Sequence, residues 1–275
     1  MRIDLHTHSN RSDGTDTPAE LVRNARERAG LDIVALTDHD STAGWEEAQA
    51  TADDVGGIRV VRGIEISTRY AGASVHLLGY EFDPSYAPLV EELERVLGGR
   101  DDRLPLTIAR LNELGYAITE EDVRAVAADA ISSGRPHIAD ALIAKGYIAS
   151  REEAFATLLS PGKPAYVDRY AADLPRAIEL LVAAGGCAVI AHPWARESRE
   201  VLDLGVFADL ADIGLAGIEV DHNDHDAKDR EALAGMADEL GLIRTGSSDY
   251  HGTGKVGFPL GANLTDPEQF ARLLG

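Results

Sequence analysis

The sequence is poor in cysteine, in aromatic side chains and in positive charge, and each shortage argues against a class of function. A single cysteine, Cys187, permits neither an intrachain disulfide nor a cysteine cage for zinc. We expect Cys187 to behave as a small buried apolar residue, as free cysteines usually do. Aromatic residues make up 5% of the chain, too few for a groove that stacks the successive bases of a long single strand.

Lys and Arg number 26 against 47 Asp and Glu, so the formal net charge is −21. Such a charge disfavours duplex DNA, because binding a polyanion takes many Lys and Arg contacts with phosphates. A phosphorylated ligand must therefore meet a local positive site that outweighs the field of the whole chain, and bound metal ions are one source of such a site.

Long apolar runs are also missing from the sequence. No run approaches the ~20 residues that span a bilayer, and the first residues lack a basic segment followed by an apolar one. We therefore expect a cytoplasmic protein that does not bind membranes. Its partner proteins and its oligomeric state are left open by the sequence.

Short apolar strands alternate with amphipathic helices over most of the 275 residues, which is typical of a single α/β barrel. Thr17 predicts the N-cap of the first helix, and Pro18 suits its first turn. Residues 84–165 differ, because their Leu and Ala residues recur with helical period. We predict a mainly parallel barrel from residues 1–83 and 166–275, with 84–165 as a helical insertion that caps the substrate.

Residues of the kind that bind metal ions recur near the carboxyl ends of the predicted strands. They are His6, His8, Asp38, His39, Glu65, His76, His192, Asp249 and His251. In α/β barrels these strand ends face the active site, so residues distant in sequence converge there. A single histidine on a strand is usually a packed or surface residue, but six of the nine histidines take comparable positions. Imidazole and carboxylate groups suit Zn, Mn or Fe.

The stretches DLHTHSNRSDG, ALTDHD, GIEIS, SVHLLGY, IAHP and SSDYH together resemble, in this order, the motifs of the polymerase and histidinol phosphatase (PHP) family. The resemblance implies a distorted (β/α)7 barrel of the PHP type. It also implies two or three divalent metal ions, for which we expect Mn, with Fe or Zn as alternatives. The insertion is similar to that of a branch containing 3′,5′-nucleoside bisphosphate phosphatases and a 5′-to-3′ exoribonuclease of short RNA.

Carried over by position, the resemblance implies three groups of metal ligands. They are His6, His8, Glu65 and Asp249 for a first ion, Glu65, His76 and His192 for a second, and Asp13, His39 and His251 for a third. Some branches of the family have a histidine in place of Asp13. The aspartate changes the local charge, which leaves the occupancy of the third position open.

The resemblance implies hydrolysis of a phosphoester by a hydroxide that the ions bind and activate. Asp249 is expected to act through that hydroxide, and His192 is expected to be a ligand or to protonate the leaving group. Three divalent ions and three carboxylates leave a local excess of about +3, which attracts phosphate to an otherwise acidic chain.

Substrate contacts are implied in the insertion and in the acidic stretch DHNDHD. The expected contacts are Arg135 and His137 of GRPHIADAL, Lys163 of SPGKPAYV, and His225, which we rank ahead of His222. Arg matches phosphate as a fork and Lys as a point charge, so the basic pair suits a second phosphate or the orientation of the substrate. The expected substrate is a small phosphorylated nucleotide or the 5′ end of a short RNA.

Removal of the 3′-phosphate from a nucleoside 3′,5′-bisphosphate, such as pAp to AMP and phosphate, is the leading hypothesis. The first alternative is a 5′-to-3′ exoribonuclease that uses the same site, and the next is hydrolysis of histidinol phosphate. A non-catalytic PHP interaction module is the alternative from a different class. All the ligand positions carry ligand-type residues, which favours an enzyme.

Other polar segments receive weaker assignments. GTGKVG at 252–257 lacks the spacing and the strand-to-helix order of a nucleotide-triphosphate loop. We interpret GGRDD at 98–102 as a solvated face. Asp38 is a candidate for orienting a ligand histidine, whereas Asp40 is as compatible with the surface as with the site.

Overall fold

The strands of the protein form a sheet that closes on itself. The computed structural model describes residues 1–275, apart from the side chains of residues 196 and 197. The strands are Ile3–Asp4 (β1), Ile33–Leu36 (β2), Arg59–Tyr70 (β3), Ala73–Tyr80 (β4), Ala172–Asp173 (β5), Cys187–Ala191 (β6), Leu215–Asp221 (β7) and Ile243–Gly246 (β8). Their order is β1-β2-β3-β4-β6-β7-β8, with β5 paired to β3. A parallel bridge between Thr7 and Tyr250 joins the two ends of this order. The predicted (β/α)7 barrel is confirmed.

Helices follow most of the strands, as the sequence predicts. They are Pro18–Arg23 (α1), Trp45–Val55 (α2), Ala87–Glu113 (α3), Glu120–Ala127 (α4), Arg135–Ala144 (α5), Arg151–Ala154 (α6), Leu174–Ala183 (α7), Leu204–Asp212 (α8), Ala227–Leu240 (α9) and Pro267–Leu274 (α10). Single π-helical turns continue α1 through Asn24–Arg28 and α6 through Phe155–Leu159, and 3-10 turns span Arg196–Glu200 and Gly252–Gly254. Thr17 caps α1 as predicted, because its hydroxyl accepts the Glu20 N–H and the Glu20 carboxylate accepts the Thr17 N–H.

The fourth strand runs against both of its neighbours, which is the main distortion of the predicted parallel barrel. The pairs β3-β4 and β4-β6 are antiparallel, whereas β1-β2, β2-β3, β6-β7 and β7-β8 are parallel. Ala71 and Gly72, both with positive φ, form the tight turn that sends β3 directly back as β4. The reversal places His76, in the first half of β4, opposite Ser67 and Ala191. The beginning of β4 therefore lies at the end of the barrel where its neighbours finish.

The buried apolar residues among those described form three clusters, the smallest of which is built mainly by strand residues such as Ile3, Ile33, Val61, Leu78 and Val189. The barrel cluster packs the sheet against its helices and includes Leu21, Val34, Ala48, Ile64, Leu77, Ile178, Ile190, Phe207, Ile218 and Leu233. A second cluster packs the helices between β4 and β5 and includes Leu104, Ile108, Leu111, Val123, Ile138, Leu142 and Leu158. The segment that we predict to be an insertion thus has an apolar core of its own. Its boundaries at residues 84 and 165 stay a prediction.

Among the described helices, none has both the length and the apolar character needed to cross a membrane.

Candidate metal centre

The segment after β1 brings His6 and His8 to one side of the barrel mouth. Thr7 between them points elsewhere, and its hydroxyl donates to the carbonyl of Ala35 at 2.6 Å. The His8 N–H donates to the carbonyl of Tyr250 at 2.8 Å, which fixes the segment beside the end of β8. The Nε2 atoms of His6 and His8 lie 3.0 Å apart, and both side chains are fully buried. Two imidazoles held in this way can share one metal ion.

Glu65 and Asp249 add a carboxylate oxygen each to this first group. Glu65 Oε2 lies 3.4 Å from Nε2 of His6 and 3.2 Å from Nε2 of His8. Asp249 Oδ1 lies 3.5 Å and 3.4 Å from the same two nitrogens. Atoms that each lie roughly 2.1 Å from one ion are about 3 to 3.5 Å from one another, so the spacing fits a single divalent ion. These are the residues that the sequence predicts for the first position.

The other oxygen of Glu65 faces a second group. Glu65 Oε1 lies 2.7 Å from Nδ1 of His76 and 3.2 Å from Nε2 of His192. His76 reaches this place because β4 is reversed. His192 follows the last residue of β6. Its backbone φ is +27°, a value that residues other than glycine rarely adopt. A single carboxylate thus lies between two pairs of histidines, with one oxygen toward each pair, and its Oε2 also lies 3.0 Å from Nδ1 of His39.

Asp13, His39 and His251 form a third and wider group. Asp13 Oδ1 lies 3.3 Å from Nε2 of His251, and Asp13 Oδ2 lies 3.7 Å from Nε2 of His39. The Nδ1 atom of His8 is 3.9 Å from Asp13 Oδ1, and it is buried without a hydrogen-bond partner among the described residues. Buried polar atoms are normally paired, so this nitrogen and its neighbours fit the donor set of a bound cation.

Burial and charge act against each other in the cluster. Burial alone raises the pKa of Glu65, but the surrounding histidine rings outweigh it and hold that pKa well below its ordinary value. Burial also raises the pKa of Asp249, but the ammonium of Lys255 and the nearby histidines outweigh burial and hold that pKa well below its ordinary value. Burial lowers the pKa of His8, whereas its hydrogen bonds with the two carboxylates raise it overall to about 9. Both carboxylates are therefore ionised, which is the form that binds metal ions.

Glu219, in the second half of β7, orients two of the histidines and was not identified from the sequence. Its Oε1 lies 3.2 Å from Nδ1 of His6, and its Oε2 accepts the backbone N–H of His192 at 2.8 Å. The hydroxyl of Ser247 also donates to it. A carboxylate behind a metal-binding histidine fixes the ring and its tautomer. The stretch GIEV repeats the first three letters of GIEIS, which contains Glu65, and this repetition is the signal that could have found it.

Asp38 does not orient a ligand histidine as expected. Its carboxylate accepts the backbone N–H of Ser9 at 2.8 Å and the hydroxyl of Ser12 at 2.6 Å. Both residues belong to the loop that leads to Asp13. Asp38 therefore acts on a ligand of the third group indirectly, by fixing the backbone that carries it.

Asp40 and Arg100 are both buried, although Asp40 was left open as a surface residue and GGRDD was expected to be a solvated face. Asp40 is 1% exposed, which rules out a surface position, and it accepts the N–H of Ser67 at 2.6 Å. The guanidinium of Arg100 donates to the same carboxylate at 2.7 Å and is itself buried. GGRDD is therefore not a solvated face at its arginine, because that side chain connects α3 to the loop after β2.

The predicted contacts on α5 lie beside the third group and beside the insertion core. His137 is 4% exposed and lines a small cleft together with Asp13 and His39. Arg135 donates to the carbonyl of Leu159 at 3.1 Å, and its guanidinium lies over two neighbouring aromatic rings. The structure therefore places His137 beside the ligand groups and Arg135 within the insertion.

Of the remaining predicted substrate contacts, Lys163 is exposed, whereas His225 is buried. Lys163 is exposed in a turn, and no described contact joins its ammonium to the ligand groups. His225 is buried, and its two ring nitrogens face backbone groups at 2.9 Å and 3.4 Å. His222, which we ranked below it, lies closer to the cluster, with Nε2 3.3 Å from Asp249 Oδ2.

Two buried or half-buried cationic side chains, one of them in contact with Asp249, were missed from the sequence. The Lys255 ammonium donates to Asp249 Oδ2. Arg103 of α3 is 5% exposed, and its pKa is lowered to about 8 by burial first and then by the neighbouring guanidinium groups of Arg135 and Arg169. No local pattern marked either residue, because Lys255 lies in a glycine-rich turn and Arg103 in a helical stretch full of charged residues.

Comparison with known proteins places the chain among phosphoesterases. The family model of the PHP domain matches residues 4–145. A 3′,5′-nucleoside bisphosphate phosphatase of Chromobacterium violaceum is 36% identical over 94% of this chain and 90% of the relative. A 5′-3′ exoribonuclease of Haemophilus influenzae is 34% identical over 91% and 90%. A phosphoribosyl 1,2-cyclic phosphate 1,2-diphosphodiesterase of Eggerthella lenta is 33% identical over 92% and 95%.

A solved structure shares the whole fold. It is a protein of Bifidobacterium adolescentis that was suggested to be a metal-dependent phosphoesterase, with a TM-score of 0.94 and 36% identity over 99% of this chain and 95% of that one. The coverage includes the helices between β4 and β5, so that segment is also part of the shared fold. The named relatives act on different phosphoesters at similar identities, so identity alone does not select a substrate.

Proposed function

The chain belongs to the PHP domain family, and from this premise we propose that it is a metal-dependent phosphoesterase that removes the 3′-phosphate from nucleoside 3′,5′-bisphosphates, such as pAp. The resemblance that the motifs indicated is confirmed at the level of the family. The substrate, the ligand set and the metal belong to the proposal. Its support comes from the arrangement of charged groups at the barrel mouth.

The position of Glu65 carries the proposal. Its two oxygens point to different histidine groups, with Oε2 toward His6 and His8 and Oε1 toward His76 and His192. A buried carboxylate in contact with five imidazoles, those of the two pairs and that of His39, fits a residue that would be shared between metal ions. It is unusual for a purely structural ion pair, because two carboxylate oxygens do not need five partners.

The donor set fits divalent transition metals. It consists of imidazole nitrogens and carboxylate oxygens without thiolates, a chemistry that Mn, Fe and Zn accept, and we propose Mn as the resident ion. Divalent ions bound there would supply activated water near neutral pH and would neutralise charge on phosphoryl oxygens. His192 and Asp249 are the proposed catalytic residues, since each offers a ligand atom at the mouth of the barrel. Glu219 holds the rings of this group in place.

We assign the second phosphate of the substrate to a cluster of arginines beside the third ligand group. The cluster consists of Arg100, Arg103, Arg135 and Arg169. Asp40 pairs with Arg100, whereas burial and the neighbouring guanidinium groups disfavour the charge of Arg103. Because a guanidinium stays charged at neutral pH, an arriving anion relieves this unfavourable burial. His137 lines the cleft toward this cluster, and Lys163 and His225 remain proposed contacts with the rest of the substrate.

An exoribonuclease that removes nucleotides from the 5′ end of short RNA is the second candidate. The relative from Haemophilus influenzae favours it, because it is nearly as similar as the bisphosphate phosphatase. A 5′-phosphorylated RNA end and a nucleoside 3′,5′-bisphosphate share the spacing between two phosphates. Both candidates therefore use the same proposed ligand groups and the same arginine cluster.

Phosphate release by the purified, Mn-loaded protein tests the proposal. The panel contains a nucleoside 3′,5′-bisphosphate, the matching 5′-monophosphate, a 5′-phosphorylated trinucleotide and histidinol phosphate. We expect rapid release from the bisphosphate and little from the monophosphate. Faster cleavage of the trinucleotide selects the exoribonuclease instead. A protein that binds Mn but hydrolyses none of the four overturns both candidates and supports the non-catalytic alternative.

A further inference from the structure

The glycine-rich segment after β8 brings a lysine into the metal centre. The Lys255 ammonium donates to Asp249 Oδ2, lies 3.7 Å from the ring centroid of Phe258, and its side chain is 25% exposed. This segment, GTGKVG, was set aside as a nucleotide loop on its spacing, and the ligand groups alone give it no role.

The two oxygens of Asp249 have different partners. Oδ1 faces the Nε2 atoms of His6 and His8 at 3.5 Å and 3.4 Å. Oδ2 faces Lys255 and, at 3.3 Å, the Nε2 atom of His222. One oxygen is thus directed toward the proposed first ion and the other toward a cation of the chain itself. The same carboxylate can hold both cations at once, but each then competes for its negative charge.

Hydrogen bonds to the rest of the barrel hold the segment that carries Lys255. The Thr253 N–H donates to Thr15 Oγ1 at 2.9 Å, and the side-chain amide of Asn223 donates to the carbonyl of Gly257 at 2.7 Å. These bonds fasten the segment on both sides of Lys255. Gly252 has a φ of +65°, and a Cβ there would lie 1.9 Å from Thr15 Oγ1, so the close approach to Thr15 requires glycine.

The charge of Lys255 affects both the stability of the metal-free fold and the affinity of the site for a divalent ion. In the absence of metal, the ammonium compensates part of the negative charge of a buried carboxylate, which stabilises the fold. With a divalent ion on the other oxygen, the ammonium repels that ion across the carboxylate, which lowers the affinity of the site. Even at the dielectric constant of water, a unit charge this close to a divalent ion changes its affinity by about tenfold.

We propose that Lys255 is a positioning residue that acts as a built-in counter-cation of Asp249, so that it stabilises the metal-free centre and weakens the hold on the first ion. This inference rests on the proposed ligand set and not on the identity of the phosphoester. A centre that binds its ion less tightly exchanges metal more readily and folds without it. Lys255 also keeps Asp249 from offering both oxygens to one ion.

The test compares Lys255→Met with Lys255→Arg and with Lys228→Met, an exposed lysine on α9 that serves as the control. Methionine keeps an unbranched side chain next to Phe258 but removes the charge, whereas arginine keeps the charge. Two quantities are measured, the thermal midpoint in EDTA and the dissociation constant of Mn²⁺ by titration calorimetry. Neither depends on catalysis, so failure of this inference is distinguishable from failure of the proposed substrate.

For Lys255→Met we expect a thermal midpoint in EDTA several degrees below that of the wild type and tighter binding of the first Mn²⁺, by about tenfold or more. Lys255→Arg and Lys228→Met are expected to stay within about threefold of the wild-type affinity. Unchanged or weaker Mn²⁺ binding by Lys255→Met, with normal folding, overturns the inference and leaves a structural lysine. If Lys255→Met does not fold without metal, Lys255→Gln is titrated after refolding with Mn²⁺, and a dissociation constant no lower than that of the wild type is the refuting result.

Discussion

The first and third ligand groups differ in exposure and in what holds them. The first group is sealed, with His6 and His8 fully buried, and its residues follow or lie within strands of the barrel. The third group is more open, since the side chains of Asp13 and His251 are each 10% exposed. Its loops also contact the helices between β4 and β5. We infer from the comparison that the barrel alone forms the proposed inner ion position (the first and second groups), whereas the proposed outer position (the third group) depends on the insertion.

Arg151 at the start of α6 makes the principal contact between the insertion and the third group. Its guanidinium donates to both carboxylate oxygens of Asp140, at 2.7 Å and 2.6 Å, and to the backbone carbonyl of Asp13 at 2.9 Å. The Ile131 N–H adds a bond to the carbonyl of Arg11 in the same loop, at 3.1 Å. The loop that carries Asp13 is therefore fixed from the insertion side.

Glu65→Gln is expected to have the largest effect, because it removes the bridging charge of the inner positions. We expect a loss of at least about 10³-fold in the rate of phosphate release, since several kcal/mol of interaction with the ions are lost. Metal analysis is expected to show fewer than half of the wild-type ions. Glu46→Gln, an exposed substitution on α2, is the matched control. Normal metal content in Glu65→Gln contradicts the bridging role.

Arg151→Met is expected to separate the outer position from the inner ones. Loss of the bond to the Asp13 carbonyl loosens that loop, so the third ion is lost or weakened while the inner ions remain. We expect activity to fall by about 10- to 100-fold, with one Mn²⁺ fewer per chain in electron paramagnetic resonance titrations. Arg124→Met, at an exposed arginine of α4, controls for the loss of a cation. Loss of all ions, or of none, refutes the division between barrel and insertion.

Arg103→Met tests the arginine cluster of the insertion separately from the ions. We expect KM for the bisphosphate to rise by about 10- to 100-fold with little change in kcat, because the substitution removes one phosphate contact. Removal of a poorly compensated buried cation is also expected to leave the thermal midpoint without ligand unchanged or higher. An equal rise in KM for a substrate with a single phosphate contradicts the assignment to the second phosphate.

That the residues of the first and second groups lie together could be predicted, because they follow local rules. His6 and His8 share a side of the chain by strand alternation, and Asp249 and His192 mark the ends of apolar strands. His76 lies at the mouth for a reason that the sequence analysis did not contain, which is the reversal of β4. The turn that reverses the chain is Ala71–Gly72, and its positive φ values were not marked by an Asn-Gly or Asp-Gly pair in the sequence.

The residues that were missed depend on long-range packing. Arg103 becomes important only when α3 packs beside other arginines, which no spacing within GGRDDRLP reveals. Asp40 is buried because Arg100, 60 residues away, covers it. Lys255 reaches the centre because bonds from Thr15 and Asn223 fasten its turn. Sequence periodicity identifies which face of an element is polar, but the partner of a polar side chain depends on the tertiary fold.

The pH response of stability is the smallest expected effect, and it compares His8 of the inner group with His251 of the outer one. The pKa of His8 is raised from 6.5 to about 9, because its hydrogen bonds with carboxylates outweigh burial. Its protonation therefore stabilises the metal-free fold fully below pH 6.5, and this contribution is lost as the pH rises toward 9. Burial lowers the pKa of His251, so that residue costs stability only below pH 6.5. In EDTA the thermal midpoint is expected to fall by several degrees between pH 6.5 and 9. Bound Mn²⁺ replaces the proton on His8, so the loaded protein is expected to lack this decline, and parallel curves with and without Mn²⁺ contradict the placement of His8 in the inner group.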